Sequence, residues 1–93
     1  MALEPWMQEV NAAGLARVAD ALALRIDGAI LCTDCGCALE SDFCAWRCVR
    51  CEARGDALTY AAQALRGRTD RLARTWQAVR DVLAARGLCR PAA

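Results

Sequence analysis

The stretch LCTDCGCALESDFCAWRCVRCEA, residues 31–53, carries six of the seven cysteines of a 93-residue chain that contains no histidine. Chains of this size bury only about 60 to 65% of their extended surface, so their cores leave a modest margin of stability. Small domains therefore commonly depend on a disulfide, a bound metal or a partner chain. We expect the cysteine-rich stretch to supply this stabilising element.

Two Cys-x2-Cys pairs lie within this stretch, Cys32 with Cys35 and Cys48 with Cys51. Two thiolates at this spacing can bind one ion while backbone amides of the turn donate hydrogen bonds to the sulfurs. Four thiolates at about 2.3 Å form the closed tetrahedral shell of structural zinc, which leaves no open position for a substrate. The spacing predicts one structural Zn²⁺ held by Cys32, Cys35, Cys48 and Cys51.

The other cysteines leave a second interpretation open. Cys44, Cys48 and Cys51 have the spacing Cys-x3-Cys-x2-Cys, which also resembles that of the cluster ligands of radical-SAM enzymes, although those need a far larger barrel than this chain provides. An iron–sulfur cluster on another four of the six sulfurs, with a redox function, stays open because thiolates also bind iron. Cys37, Cys44 and Cys89 are otherwise interpreted as small buried or incidental thiols.

The N-terminus and the cysteine count indicate the compartment. Residues 1–10 (MALEPWMQEV) contain no basic residue and no apolar run of signal-peptide length. An odd number of cysteines fits a disulfide framework poorly. We therefore expect a cytoplasmic protein, in which thiols remain reduced. We expect no membrane association, because no segment approaches the roughly 20 uninterrupted apolar residues of a bilayer span.

Helical patterns lie on both sides of the cysteines. Residues 1–28 predict an N-terminal helix, since Pro5 suits its first turn and Gly28 its end. One apolar stripe runs along it, formed by Leu15, Val18, Leu22 and Ile26. Residues 1–93 are thus predicted to form one mainly α domain, in which two helices flank a small four-cysteine zinc-knuckle centre at residues 29–53, of zinc-ribbon or treble-clef type.

The second predicted helix is long and covers residues 54–88, with Asp56 as its N-cap. Its apolar positions alternate spacings of four and three, which indicates a helix that packs on a partner. These positions are Leu58, Ala62, Leu65, Thr69, Leu72, Trp76, Val79 and Leu83. The partner is either the first helix or a second copy of the chain. Because the first helix is too short to cover the far end, we expect Leu72, Trp76, Val79 and Leu83 to form a homodimer seam.

A break in this helix near residue 67 stays open, because Gly67 costs about 1 kcal/mol relative to alanine inside a helix.

Charge is divided unevenly along the chain. Residues 1–42 have a net charge of −5 from two arginines and seven acidic residues, whereas residues 43–93 have +6 from ten arginines and four acidic residues. The two halves either neutralise each other or the basic half meets an anionic partner. The planar guanidinium of arginine favours phosphate and carboxylate. The predicted partner-binding residues are Arg47, Arg50, Arg54, Arg68, Arg71 and Arg74.

One predicted helix leads into LCTDCG, and a short hairpin then connects to CVRCEA, which leads into the second helix. This arrangement resembles the DksA/TraR zinc-finger family. The resemblance covers residues 21–53, and its specific part is the two Cys-x2-Cys pairs with Leu31, Gly36, Glu52 and Ala53. It implies zinc knuckles with flanking helices and docking on bacterial RNA polymerase, which is the first candidate partner. Nucleic acid stays open as a partner, because small nucleic-acid-binding zinc fingers match these residues almost as well.

Catalytic function is not expected. The chain has no histidine, no recognisable pair of catalytic carboxylates, no glycine-rich phosphate loop and no nucleophile motif. The sequence predicts a small zinc-binding regulatory protein that docks on the transcription machinery or on nucleic acid. One alternative is an adaptor that uses a zinc-pinned helical hairpin to dimerise or to capture a partner helix. The other alternative is the iron–sulfur or thiol redox protein.

Overall fold

A computed structural model describes residues 4–65 and 72–91 of the chain, and the side chains of residues 4–65 and 76–91. The described residues form four helices and five two-residue strands. In chain order these are α1 Pro5–Ala13, α2 Leu15–Ala21, β1 Arg25–Ile26, β2 Ala29–Ile30, β3 Glu40–Ser41, β4 Trp46–Arg47, β5 Arg54–Gly55, α3 Ala57–Leu65 and α4 Leu72–Ala85. The fold is mixed α/β, so the prediction of a mainly α protein with two helices is wrong.

The predicted N-terminal helix is divided at Gly14. Gly14 has a φ of +94°, a conformation that favours glycine. A Cβ atom at this position would lie 2.9 Å from two ring carbons of Phe43. The amide of Leu15 donates a hydrogen bond of 2.7 Å to the carbonyl of Phe43. The break between α1 and α2 is therefore the place where the turn between β3 and β4 packs on the helices.

Residues 25–30 form a β-hairpin instead of the end of that helix. Strand β1 pairs antiparallel with β2, and the turn residues Asp27 and Gly28 have φ values of +52° and +83°. Two positive φ values in a two-residue loop are typical of a type I′ turn, for which Asp-Gly is a preferred pair. The glycine that the sequence pattern assigned to a helix end belongs to this turn.

The second sheet has the strand order β3-β4-β5 and is antiparallel throughout. Arg47 of β4 lies opposite Glu40 of β3 on one side and Arg54 of β5 on the other. All three side chains are exposed, and we call Glu40, Arg47 and Arg54 the outer row. Trp46 is only 3% exposed and its Nε1 donates to the carbonyl of Asp56 at 2.8 Å. The sheet thus attaches to the helices through Trp46 and presents the outer row to solvent.

The long helix predicted over residues 54–88 corresponds to two helices, α3 and α4, which pack on each other. Asp56 caps α3, since its Oδ1 accepts hydrogen bonds from the amide and the hydroxyl of Thr59 at 2.8 and 2.7 Å. Asn11 of α1 donates to Oδ2 of the same carboxylate at 3.2 Å. Residues 66–71, which include the predicted break at Gly67, lie outside the described residues.

Two residues of the predicted dimer seam, Val79 and Leu83, lie in the core of the single chain. Val79 and Leu83 are 0% exposed and belong to the main apolar cluster with residues of α1, α2 and α3. Trp76 packs against this cluster, with its ring 6.4 Å from that of Trp6. The side chain of Leu72 lies outside those described. Val79 and Leu83 have no exposed surface with which to contact a second copy. The alternative expectation, that this helix packs within its own chain, therefore accounts for these two residues.

Within residues 4–65 and 72–91, no helix is both long enough and apolar enough to cross a membrane.

Candidate metal centre

The sulfurs of the four predicted zinc ligands lie together. The Sγ atoms of Cys32, Cys35, Cys48 and Cys51 are all within 4.8 Å of one another. Between the two turns, Cys35 Sγ lies 3.6 Å from Cys48 Sγ, and Cys32 Sγ lies 4.0 Å from Cys51 Sγ. A tetrahedral shell with sulfurs at about 2.3 Å from the ion has sulfur–sulfur edges of about 3.8 Å. The four side chains therefore have the separations that one four-coordinate ion requires.

The two Cys-x2-Cys turns have the same backbone hydrogen bonds. The amides of Cys32 and Cys48 each donate to the carbonyl five residues later, and their carbonyls each accept from the amide four residues later, at 2.8 to 3.0 Å. The residues at that fourth position, Gly36 and Glu52, have φ values of +77° and +62°. The same left-handed conformation is thus adopted by a glycine in the first turn and by a glutamate in the second.

Replacing Glu52 with glycine is expected to stabilise the protein by about 1 kcal/mol, because a side chain in the left-handed region is strained and glycine is not. Thermal unfolding of the metal-loaded protein measures the change. The matched control is Asp34→Gly, an exposed position in the first turn without a positive φ, where glycine should bring no gain. A Glu52→Gly protein that is no more stable than wild type would contradict this prediction.

Backbone amides and neighbouring thiols set the pKa values of the clustered sulfurs. The pKa of Cys48 is lowered to about 7, chiefly by a hydrogen bond from the amide of Cys51, which lies 3.4 Å from the sulfur. The amide of Cys37 lowers the pKa of Cys35, but partial removal from water and the three neighbouring thiols outweigh it and raise that pKa to about 12. Because metals bind the thiolate form, a cation would compete with protons at these sulfurs.

The helical core holds the metal centre in place through α3. The hydroxyl of Tyr60 donates to the carbonyl of Leu31, the residue before the first ligand. The Tyr60 ring is fully buried and packs edge-on against Trp46 at 5.9 Å. Burial, followed by the nearby Cys32, raises the pKa of Tyr60 to about 12, so it remains a hydrogen-bond donor at neutral pH. Both turns are thus joined to the core, one through Tyr60 and the other through the strand of Trp46.

The remaining three cysteines have other partners. Cys37 Sγ accepts from the guanidinium of Arg50 at 3.7 Å, Cys44 Sγ donates to Asn11 Oδ1 at 3.6 Å, and Cys89 Sγ donates to a backbone carbonyl of α4 at 3.8 Å. All seven cysteines are free thiols. Among the described residues, the sulfurs that come together are those of the two Cys-x2-Cys pairs.

The predicted partner-binding arginines occupy different environments. Arg47 lies in the outer row, with Nη2 3.1 Å from Glu40 Oε1 in a solvent-exposed ion pair. Arg54 is also in the outer row, and no carboxylate among the described residues pairs with it. The guanidinium of Arg50 is directed at Cys37, and this contact raises the pKa of Arg50. The side chains of the three helix arginines lie outside the described residues: Arg68, Arg71 and Arg74.

One feature of the surface has no counterpart in the sequence pattern. A depression of about 500 Å³ beside the second turn is lined by Arg47, Cys48, Val49, Glu52 and Arg54. Val49 is 64% exposed in spite of its apolar side chain. Val49 lies in a turn between two cysteines, outside the helices and strands, so no helical or strand periodicity indicates it.

No family model matches the chain, and no curated protein or solved structure is significantly similar to it. The resemblance to the DksA/TraR family stays a prediction. The geometry by itself defines the class of the site, which is a four-cysteine centre that can hold one metal ion.

Proposed function

We propose that the protein is a small zinc-binding regulatory module that docks on a protein of the transcription machinery. The observation that carries the zinc assignment is the group of four sulfurs, whose separations of 3.6 and 4.0 Å between turns match a single tetrahedral ion. An iron–sulfur cluster distributes its cysteines over several iron atoms, which places their sulfurs farther apart than one shared ion does. An iron–sulfur cluster therefore fits these separations less well than a single ion.

The proposed role of the zinc is structural and not catalytic. Four thiolates close the coordination shell and leave no position for water or substrate. Each strand of the second sheet has two residues, which is too little pairing for independent stability. Because binding of structural zinc contributes about 10 kcal/mol or more to folding, the ion would hold the two turns and their strands together.

Arg50 supports the assignment through its charge. Four thiolates and one Zn²⁺ have a formal charge of −2, and a partly buried anionic group needs a nearby cation. The guanidinium of Arg50 contacts Cys37 Sγ at 3.7 Å and is also stabilised by the charges of Cys35 and Cys51. In this proposal Arg50 compensates the negative charge of the metal centre. The outer row is then the part of the basic surface that contacts a partner.

The regulatory role rests on the resemblance of the two turns to the DksA/TraR family, which makes bacterial RNA polymerase the first candidate partner. Docking on protein is favoured over nucleic acid because residues 1–42 have a net charge of −5, which would repel a duplex.

The direct test is elemental analysis combined with the native mass of the purified protein, for which we expect one zinc per chain. Iron in place of zinc, or no metal, would overturn the zinc assignment. Co-elution of the zinc-loaded protein with purified RNA polymerase in size-exclusion chromatography tests the partner. The control is the chelator-treated protein, which should not co-elute, and failure of the zinc-loaded protein to co-elute would remove this partner.

Zinc affinity is expected to fall steeply as the pH falls. The pKa of Cys35 is raised to about 12. The Cys35 thiol lowers the pKa of Cys51, but the Cys48 and Cys32 thiols and partial removal from water outweigh it and raise that pKa. Both must release a proton to bind metal near neutrality, and Cys48 adds a third below its pKa of about 7.

Each proton that the metal displaces changes the zinc affinity about tenfold per pH unit. As the pH falls, the zinc affinity should therefore drop at least about 100-fold per pH unit above neutrality and at least about 1000-fold per pH unit below neutrality. Competition with a chromophoric chelator at several pH values measures this dependence. An affinity that stays constant between mildly acidic and mildly basic buffers would contradict thiolate ligation.

A further inference from the structure

The outer row places two guanidiniums side by side. Arg47 and Arg54 are direct partners across β4 and β5, and like charges in this position destabilise an antiparallel pair. Glu40 pairs with Arg47 at 3.1 Å, whereas Arg54 has no carboxylate partner among the described residues. An anion placed beside Arg54 would relieve the repulsion and gain a charge-assisted hydrogen bond.

The surface beside these arginines is concave and partly apolar. Arg47 and Arg54 line both the depression of about 500 Å³ beside the second turn and a neighbouring one of about 380 Å³ over the outer face of the sheet. Val49, which is 64% exposed, lies in the first of them. An exposed valine next to unpaired positive charge is typical of a contact surface that uses both charge and apolar burial.

From this arrangement we infer that the outer row and Val49 bind an acidic segment of a protein partner. Its carboxylates pair with Arg54 and Arg47, and an apolar side chain of the segment covers Val49. This inference rests on the proposed function, because it names the surface by which the zinc module docks and the chemistry of the partner segment.

The acidic residues around the arginines favour a peptide over nucleic acid. Glu40 and Asp42 line the depression over the sheet, and Glu52 lines the depression beside the second turn. A phosphate backbone carries closely and regularly spaced negative charges, several of which would lie against these carboxylates. A protein segment can place its carboxylates at the arginines and neutral residues beside Glu40, Asp42 and Glu52.

Fluorescence anisotropy with a short labelled peptide of alternating glutamate and leucine residues tests the inference on the zinc-loaded full chain. Arg54→Glu should weaken binding at least about tenfold, because it removes one ion pair and adds a repulsion. The variant should still fold, since the new carboxylate lies opposite Arg47 and replaces a like-charge pair by an opposite-charge pair. Zinc content is measured for every variant.

The matched control is Arg17→Glu, which changes the net charge equally. Arg17 is exposed on α2 and lines neither depression, so its reversal should weaken binding by less than about twofold. The same peptide with glutamine in place of glutamate should bind at least about tenfold more weakly to the wild-type protein.

Three results would overturn the inference: no binding of the glutamate peptide to zinc-loaded wild type, equal losses for Arg54→Glu and Arg17→Glu, or tighter binding of single-stranded DNA of the same charge. Absence of zinc from the wild-type protein would overturn the proposed function instead. The metal analysis therefore separates a failure of the inference from a failure of the proposed function.

Discussion

Replacing Cys48 with serine is expected to abolish metal binding and to unfold the protein at neutral pH. The Cys48 side chain is 0% exposed, and its sulfur lies 3.6 Å from that of Cys35 within the four-sulfur group. Zinc binding contributes about 10 to 16 kcal/mol to the folding of small zinc domains, whereas domains are stable by only about 5 to 15 kcal/mol. Elemental analysis after dialysis and far-ultraviolet circular dichroism measure the two effects.

The matched control is Cys44→Ser, the same chemical change at a half-buried cysteine. Cys44 Sγ contacts Asn11 Oδ1 at 3.6 Å, and a serine hydroxyl can make the same hydrogen bond. This variant should keep both its metal and its fold. If Cys44→Ser lost the metal as completely as Cys48→Ser, the proposed ligand set would be wrong and an iron–sulfur centre with a different set of sulfurs would have to be considered.

The group of four sulfurs could be predicted because its geometry is largely local. A Cys-x2-Cys turn brings its own two sulfurs together through hydrogen bonds within six residues, as the shared pattern at Cys32 and Cys48 shows. Two such turns in a short chain have few other ways to satisfy four thiols. The local pattern does not specify the metal, because the same four sulfurs can hold more than one kind of ion.

The strands could not be predicted from periodicity. Alternation of polar and apolar residues needs at least about four residues to be seen, and every strand here has two. The hairpins depend instead on their turns. Asp27 and Gly28 form one of them, and in another the carboxylate of Asp42 accepts hydrogen bonds from the amides of Cys44 and Ala45 at 3.1 and 2.8 Å. The Asp27-Gly28 pair is a recognisable turn signal, but Gly28 is equally typical of the residue just past a helix end.

The break at Gly14 has a different cause. A single glycine inside an amphipathic pattern is tolerated at a cost of about 1 kcal/mol, so the pattern alone favours a continuous helix. The helix divides because the carbonyl of Phe43 accepts from the amide of Leu15 at 2.7 Å. This contact is between residues far apart in the sequence, and the local pattern of α1 and α2 contains no information about it.

The apolar repeat of the second half correctly indicated buried faces but not what covers them. Periodicity shows that Val79 and Leu83 lie on one side of a helix, and it is the same whether that side packs on its own chain or on another. In the folded chain, both are 0% exposed in a cluster that includes Val10 of α1, Leu15 of α2 and Leu65 of α3. These helices, and not a second copy, supply the covering surface.

Replacing Leu83 with alanine is therefore expected to destabilise the single chain by about 2 to 5 kcal/mol, the usual cost of a cavity in a packed core. The side chain is 0% exposed, so nearly all of its contacts are lost. Chemical denaturation at saturating zinc measures the free energy of unfolding. The control is Val82→Ala on the preceding, half-buried position of α4, which should cost less than Leu83→Ala because less apolar surface is lost.

The dependence on protein concentration distinguishes a core residue from a dimer contact. If the broken contacts lie within one chain, the loss of stability caused by Leu83→Ala is the same at low and high protein concentration. A contact between two copies would behave differently, because mass action stabilises a dimer as its concentration rises. A destabilisation that disappears in concentrated solution would contradict the intramolecular packing of Leu83. It would indicate that this face of α4 contacts a second copy of the chain.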